Sequence, residues 1–168
     1  MNIRPNTIQC LNSLLKNYVL IIFTSSHKAY ADEIIDLLDP EGEIFSYRIY
    51  RENCRKVNIG KDTVYIKDLS IFKTIDIKKI VIIDYSVLSF AYHLNNGIPI
   101  LPFYDDFNDN ELNTLVNYLS FIAQKEDVRV ENEHCLNLMN CLKVAKGDFN
   151  DSEFDSEDID KDVLVLNK

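Results

Sequence analysis

The stretch VLIIFTSS, residues 19–26, is an apolar run that ends on three small hydroxyl side chains. An apolar run of this length, flanked by polar residues, is typical of a strand buried on both faces, most often in a parallel sheet. Hydroxyl groups just past the carboxyl end of such a strand lie where open α/β sheets bind their ligands. Ser and Thr are also favoured N-caps of a following helix, so the stretch alone leaves both interpretations open.

A second apolar run, KKIVIID at residues 78–84, predicts another buried strand, and this one ends on an acid. Apolar residues recur at helical spacing in four segments, residues 8–15, 27–39, 109–124 and 133–145. The alternation of strands and helices predicts an α/β fold with a mainly parallel sheet flanked by helices. Three segments rich in β-forming residues predict a small antiparallel β insertion: residues 44–51, 54–58 and 63–69.

Polar side chains follow both predicted buried strands and the β insertion. Strands that end in FTSS and IIDYS place four of them at one sheet edge: Thr24, Ser25, Asp84 and Ser86. The segment YIKDLS adds Lys67 and Asp68. Hydroxyls, an amine and a carboxylate that converge at strand ends would suit a phosphate and a metal ion. Taken singly, Lys67 also fits a surface lysine and Asp84 a helix cap, so the prediction depends on their convergence.

Length and charge predict one folded domain and an acidic tail. The 168 residues suffice for a single domain with a core. The formal net charge is −9, and residues 148–162 hold eight acidic residues and one Lys, a net of −7, which leaves −2 for the rest. A near-neutral body disfavours direct nucleic-acid binding. We therefore expect a domain over residues 1–146 and an acidic disordered tail over 147–168.

Cysteine usage and hydropathy restrict the cellular context. The four cysteines, Cys10, Cys54, Cys135 and Cys141, are scattered and predict free thiols in a reducing compartment. No apolar run approaches the roughly 20 residues that span a membrane. The first residues lack the apolar core of a secretory signal. A nuclear or cytoplasmic location without membrane insertion is the expectation.

Several strings of this sequence resemble a known family. In chain order they are RPNT, SYRIYRENC, VYIKDLS, VIIDYS and NNGIPILPFYDDFNDNEL. They resemble the small phosphatases that act on the C-terminal domain of RNA polymerase II, also called NLI-interacting-factor-like phosphatases, of the haloacid dehalogenase superfamily. The resemblance extends from about residue 3 to residue 128. It implies a haloacid-dehalogenase-like sheet with its site at the strand ends. It also implies a phosphoaspartyl mechanism that uses Mg²⁺, and phosphoserine or phosphothreonine in proteins as substrate.

The resemblance also implies roles for three residues. Thr24 matches the hydroxyl that hydrogen-bonds the phosphoryl oxygens, and Lys67 matches the lysine that neutralises charge on the phosphate and on the aspartyl leaving group. Asp84 matches the acid beside the metal ion. Fixed positive charge and donors around the phosphoryl oxygens are what phosphoryl transfer needs. Ser25 and Ser26 would then shape the turn and cap the following helix.

Two departures from the family pattern bear on catalysis. The nucleophile motif DxDx(T/V) is expected on a strand well upstream of RP, and only three residues precede Arg4, so no catalytic nucleophile is identified. Tyr85 follows Asp84 where the family has Asn or Asp, which weakens the expected Mg²⁺ site. Without the first strand, either the strands at 18–23 and 78–84 pair directly or the chain is a fragment of a longer protein.

Two functions are consistent with these observations. The first is a protein serine/threonine phosphatase-family domain that is inactive as written because the nucleophile motif is missing. The second is a non-catalytic pseudophosphatase that binds a phosphopeptide or a protein partner, as the mitochondrial import receptor of the family does. Tyr85 favours the second, whereas Thr24 and Lys67 favour the first.

Overall fold

The computed structural model describes residues 2–140 and the backbone of residues 163–167. Four α-helices lie wholly within these ranges: α1 (Thr7–Leu14), α2 (Lys28–Leu38), α3 (Glu111–Ile122) and α4 (Val128–Leu136). Residues 138–140 are also helical. The strands are β1 (Tyr18–Phe23), β2 (Phe45–Ile49), β3 (Arg55–Ile59), β4 (Asp62–Ile66), β5 (Ile80–Asp84), β6 (Gly97–Pro99) and β7 (Val163–Asn167). Segments of 3₁₀ helix cover Arg51–Asn53, Leu69–Ile71, Ile77–Lys79 and Val87–Asn96.

The main sheet of the described residues has five strands in the order β2-β1-β7-β5-β6. β1 pairs in parallel with β2, and β5 pairs in parallel with β6. β7 is antiparallel to both of its neighbours, β1 and β5. All strands of this sheet except β7 therefore run in one direction, and their carboxyl ends share one edge. The predicted α/β class with a mainly parallel sheet is confirmed.

The centre of the sheet differs from the prediction. Val163 of β7 pairs with Ile22 on one side and with Ile83 on the other, so β1 and β5 do not pair directly. The predicted disordered tail therefore needs correction at Val163–Asn167. Its remaining residues, 147–162 and 168, lie outside the described ranges, as does the predicted domain boundary. The physical reason is that a short Val- and Leu-rich segment satisfies two rows of backbone groups that a gap would leave unpaired.

The β insertion is smaller than predicted. Only β3 and β4 form an antiparallel hairpin, in which Arg55 pairs with Ile66 and Gly60 adopts a positive φ of 62° in the turn. The segment around 44–51 instead contributes β2, which joins the main sheet beside β1. Its first residue, Phe45, is buried, and α2 provides the crossover that a parallel pair requires.

The core lies on both faces of the sheet, as a fully apolar strand requires. On β1, Leu20 and Ile22 face one cluster, whereas Ile21 and Phe23 face the other. The first cluster receives residues from all four helices: Cys10, Leu11, Leu14, Ala31, Ile35, Leu115, Leu119, Ile122 and Val128. The second is closed by Leu69 and Phe90 from the connections. Alternate residues of one strand thus hold two layers together.

The last two helices differ in their bounds from the prediction. α3 is shorter at both ends than the predicted 109–124. α4 begins well before the predicted residue 133 because the Asp127 side chain caps it by accepting a hydrogen bond from the Arg129 amide at 3.0 Å. It ends at Leu136, and the following Asn137 adopts the left-handed conformation that caps it. The predicted residues 141–145 lie outside the described ranges. Within those ranges, no helix combines the length and the hydropathy needed to cross a bilayer.

Candidate functional site

The predicted site residues lie at the carboxyl edge of the sheet. Thr24 follows β1 directly, and Asp84 is the last residue of β5. Ile22 and Ile83 both pair with Val163, so the two strands end at the same level. One strand separates them, which places the two backbones about 10 Å apart.

The Thr24 side chain shapes the turn that follows β1. Thr24 is buried, and its hydroxyl oxygen accepts a hydrogen bond from the Ser26 amide at 3.0 Å. Its own amide donates to the Ile49 carbonyl at 2.9 Å, which extends the pairing with β2. The N-cap of α2 is His27, without a side-chain cap hydrogen bond, so neither serine takes the capping role that the sequence suggested.

Arg51 anchors this turn, and sequence reasoning missed it. Its Nε donates to the Ser25 carbonyl, and its amide donates to the Ser26 carbonyl at 3.2 Å. Its Nη1 lies 3.0 Å from His27 Nε2, and its guanidinium carbon lies 4.8 Å from the centre of the Tyr65 ring. The turn after β1 is thereby joined to the β3–β4 hairpin. The only sequence signal was its place in the string SYRIYRENC.

Lys67 and Asp84 form a buried ion pair. Lys67 Nζ donates to Asp84 Oδ2 at 2.8 Å, and neither side chain is exposed. The other carboxylate oxygen, Oδ1, accepts the Ser86 amide at 2.7 Å. The Lys67 amide donates to the Ser89 carbonyl at 2.7 Å, which fixes the backbone from which the lysine extends. Charged groups are tolerated without solvent only when they are paired in this way.

The Asp68 carboxylate, next to Lys67 in the chain, contacts three hydrogen-bond donors. Its carboxylate accepts Arg55 Nε at 2.8 Å and the Ser70 amide at 3.0 Å, and His93 Nε2 lies 3.0 Å away. Burial alone would raise the pKa of Asp68, but the contacts with His93, Arg55 and Ser70 outweigh it and hold that pKa well below its usual range. Asp68 therefore joins the β3–β4 hairpin to the 3₁₀ segment Val87–Asn96. His93 gave no sequence signal of its own.

The expected Mg²⁺ does not fit Asp84 as it is arranged here. Mg²⁺ binds oxygen ligands in near-octahedral geometry, usually through one or two carboxylates and several waters. Both oxygens of Asp84 are already engaged, one of them by the Lys67 ammonium, which would repel a cation. Across residues 2–140, no three His, Cys, Asp or Glu side chains are grouped so as to hold a metal ion.

The chain matches a family profile and several curated relatives. The profile of the NLI interacting factor-like phosphatases matches residues 1–129. CTD small phosphatase-like protein 2 of Dictyostelium discoideum is 40% identical over 126 residues, which make up 75% of this chain and 21% of that protein. CTD small phosphatase-like protein 3 of Caenorhabditis elegans is 41% identical over 122 residues, 73% of this chain and 41% of that protein. Nuclear envelope morphology protein 1 of Schizosaccharomyces pombe is 37% identical over 126 residues, 75% of this chain and 25% of that protein.

The fold is also similar to a solved structure, that of the fission yeast RNA polymerase II CTD phosphatase Fcp1 bound to beryllium fluoride. The TM-score is 0.51 at 18% sequence identity, over 92% of this chain and 43% of that chain. At this identity the likeness concerns the fold alone, and it agrees with a haloacid-dehalogenase-like architecture. The chain spans about a fifth to two-fifths of the length of the curated relatives described above. Because the family profile covers most of the sequence, the protein belongs to the NLI interacting factor-like phosphatase family.

Proposed function

We propose that this chain is a phosphatase-family domain that binds a phosphorylated protein segment and, as written, does not hydrolyse it. The observation that carries the proposal is the buried Lys67–Asp84 pair, 2.8 Å from Nζ to Oδ2, at the edge where Thr24 also lies. The ammonium cancels the charge of the carboxylate. An incoming phosphate therefore does not meet a bare negative charge at this edge.

The phosphate position that we propose is the turn between Thr24 and α2. A hydroxyl that accepts one hydrogen bond, as Thr24 does from Ser26, still has its hydrogen to donate to a phosphoryl oxygen. The N-terminus of α2 follows that turn and contributes partial positive charge toward an anion. Lys67 acts in this arrangement by neutralising Asp84 at the same sheet edge, about 10 Å from the Thr24 backbone. This role is more indirect than the one the family resemblance implies.

Hydrolysis needs a nucleophile that this arrangement does not provide. A phosphoaspartyl mechanism requires a carboxylate with an oxygen able to attack phosphorus. The Asp84 carboxylate is held by Lys67 and by the Ser86 amide, and the Asp68 carboxylate is held by Arg55 and the Ser70 amide. The string DxDx(T/V) does not occur in the sequence. The family function that this chain retains by itself is therefore recognition.

Binding of tungstate, a phosphate mimic, tests the recognition half of the proposal. Isothermal titration calorimetry should show weak binding to the wild type and a lower affinity for Thr24→Val, which keeps the shape of the side chain and removes the hydroxyl. Thr24→Ser restores a hydroxyl and should bind nearly as well as the wild type. Equal affinities for wild type and Thr24→Val would remove Thr24 from the phosphate site.

Hydrolysis of p-nitrophenyl phosphate and of phosphoserine peptides tests the catalytic half. With Mg²⁺ present, we expect no turnover above background, because loss of a covalent nucleophile leaves only binding and electrostatics. The control is Asp84→Ala. Turnover that depends on Mg²⁺ and disappears in that variant would contradict the proposal.

A second candidate function is that of a working phosphatase whose nucleophile lies in another segment. The short span of this chain relative to its relatives favours this candidate. Fusing a strand that carries DxDx(T/V) upstream of Asn2 should then produce Mg²⁺-dependent turnover. The fused strand would have to displace β7 from between β1 and β5.

A further inference from the structure

The loop of residues 100–110, which connects β6 to α3, begins beside Asp84, at the same carboxyl edge of the sheet as the turn after Thr24. In the pairing of β5 with β6, Asp84 is opposite Pro99. The Ile100 amide then donates to the Asp84 carbonyl at 3.1 Å. A peptide held at the carboxyl edge of the sheet would therefore lie close to this loop.

The loop exposes large apolar side chains. Leu101, Tyr104 and Phe107 are 68%, 61% and 89% exposed, and they recur at every third position. Single exposed apolar residues are ordinary, but three within one short loop concentrate exposed apolar surface, a feature that favours an interaction site.

The backbone of the loop is fastened at several points. Arg4 Nε lies 3.2 Å from an oxygen of Asp109, and the Arg4 guanidinium carbon lies 5.3 Å from the centre of the Phe103 ring. Asn2 Nδ2 donates to the Tyr104 carbonyl at 3.0 Å. The exposed side chains are thus presented from a held loop, which lowers the entropic cost of binding a partner.

The same loop carries negative charge. Asp105 and Asp106 are exposed, and the sequence has no Lys or Arg between Lys79 and Lys125. Asp109 is neutralised by Arg4, and one oxygen of Asp106 accepts the Asn108 amide at 2.9 Å, which leaves the charge of Asp106 in place. Negative charge around exposed aromatic rings is complementary to a segment that combines basic and apolar residues.

We propose that this loop selects phosphoprotein segments in which Lys or Arg and an apolar residue flank the phosphorylated side chain. The inference rests on the proposed function, since it names the substrate class of the same site. The aromatic rings supply contact area and cation–π partners for Lys or Arg, and the two carboxylates attract the basic residues. Thr24 and α2 hold the phosphate.

Fluorescence anisotropy with three labelled peptides tests this inference. The peptides carry phosphoserine with Lys flanks, phosphoserine with Glu flanks, and unphosphorylated Ser with Lys flanks. We expect wild-type protein to bind the Lys-flanked phosphopeptide most tightly. The double variant Asp105→Asn/Asp106→Asn should lower the affinity for that peptide by about three- to tenfold, as loss of exposed ion pairs does. Its affinity for the Glu-flanked peptide should be unchanged or higher. Phe107→Ser should lower the affinity for both phosphopeptides.

Matched control variants remove side chains of the same chemical kind at positions far from the loop. Glu41→Gln/Glu43→Gln takes two exposed carboxylates from the opposite sheet edge, just before β2, and Leu37→Ser removes an exposed apolar side chain from α2. Neither control should change the order of the peptides. Equal wild-type affinity for the Lys- and Glu-flanked phosphopeptides would overturn the inference, as would a preference that survives in the Asp105→Asn/Asp106→Asn variant.

Tungstate calorimetry separates this inference from the proposed function. The loop variants should bind tungstate as the wild type does, because the loop contacts the peptide and not the phosphate. The wild type could bind no tungstate and still bind the unphosphorylated Lys-flanked peptide through Asp105 and Asp106. That result would contradict the proposed phosphate site and support the loop as a peptide-binding surface. If tungstate binds and neither Lys-flanked peptide depends on Asp105 and Asp106, the loop inference fails alone.

Discussion

Lys67 Nζ lies 2.8 Å from Asp84 Oδ2, and both side chains are fully removed from solvent. The pair connects the segment after β4 to the end of β5, so it is also a tertiary contact between the hairpin insertion and the main sheet. Each of these buried charged groups needs the other, because either one alone would carry the full penalty of desolvation.

Removing one member of this ion pair should lower the free energy of unfolding more than removing both members. Lys67→Met leaves the Asp84 carboxylate buried without its ammonium partner, and we expect the free energy of unfolding to fall by about 3–5 kcal/mol. Lys67→Met/Asp84→Leu removes both charges and should recover much of that loss, since apolar replacement of a buried pair is often nearly neutral. Urea denaturation of the wild type and both variants measures the difference. A double variant as unstable as the single one would show that the pair is not the source of the cost.

Strand β7 should be required for the stability of the sheet. Val165 pairs with Leu20 on one side and with Val81 on the other. Val165→Pro removes a backbone donor from a central strand, where proline is almost never found, and should cost roughly 2–4 kcal/mol. Val165→Thr keeps a β-branched residue and serves as the control.

Amide hydrogen exchange locates this effect. In Val165→Pro the amides of β1 and β5 should lose protection, because their ladders with β7 open. If Leu20 and Val81 exchange as slowly in this variant as in the wild type, β7 does not occupy the centre of the sheet in solution.

Asp39 should make the stability dependent on pH in the acid range. Its buried carboxylate accepts the amides of Glu43, Ile44 and Phe45 in the turn between α2 and β2, the shortest at 2.8 Å. Burial alone would raise the pKa of Asp39, but the three amides outweigh it and lower that pKa below its ordinary value of 3.8. Asp39→Asn should cost about 1–3 kcal/mol at neutral pH.

The pH dependence of that cost follows from the sign of the pKa shift. A carboxylate with a lowered pKa in the folded state contributes stability that is complete above the pKa of the unfolded chain and is lost as the pH falls through the folded pKa. The difference in unfolding free energy between wild type and Asp39→Asn should therefore be constant near neutrality and should shrink below about pH 4. Denaturation curves from pH 7 down to pH 3 measure this. A difference that stays constant over that range would exclude the ionised carboxylate as its cause.

Gly97 should not tolerate a side chain. A Cβ added there would lie 2.1 Å from two carbons of the Phe90 ring, which is fully buried. We expect Gly97→Ala to lower the free energy of unfolding by about 1–3 kcal/mol, as overpacking does. Gly97→Ala/Phe90→Leu shrinks the opposing side chain and should be less unstable than the sum of its single changes. Thermal unfolding of the three variants measures this, and strict additivity would mean that the two side chains do not meet.

The sequence by itself determined the parts of this protein that depend on near neighbours in the chain. The runs 18–23 and 80–83 contain only apolar and aromatic side chains, so burial on both faces and an α/β class follow from composition and length alone. Thr24 and Asp84 follow those runs directly, so parallel strands bring both residues to one edge. These conclusions need no knowledge of which strand pairs with which.

Only the tertiary structure decided the pairings between distant segments. β2 carries an alternating pattern that fits a hairpin or an outer parallel strand equally well, and its place beside β1 depends on the crossover through α2. β7 directly follows an acidic stretch whose composition predicts disorder, yet its backbone groups complete two ladders far away in the sequence. The partner of Lys67 is Asp84, and the partners of Asp68 include Arg55 and His93, from three different segments. The backbone groups of a strand and a buried charge must each find a hydrogen-bonding partner, and the fold decides which distant residue is close enough. A local sequence pattern predicts that a partner is needed but does not identify it.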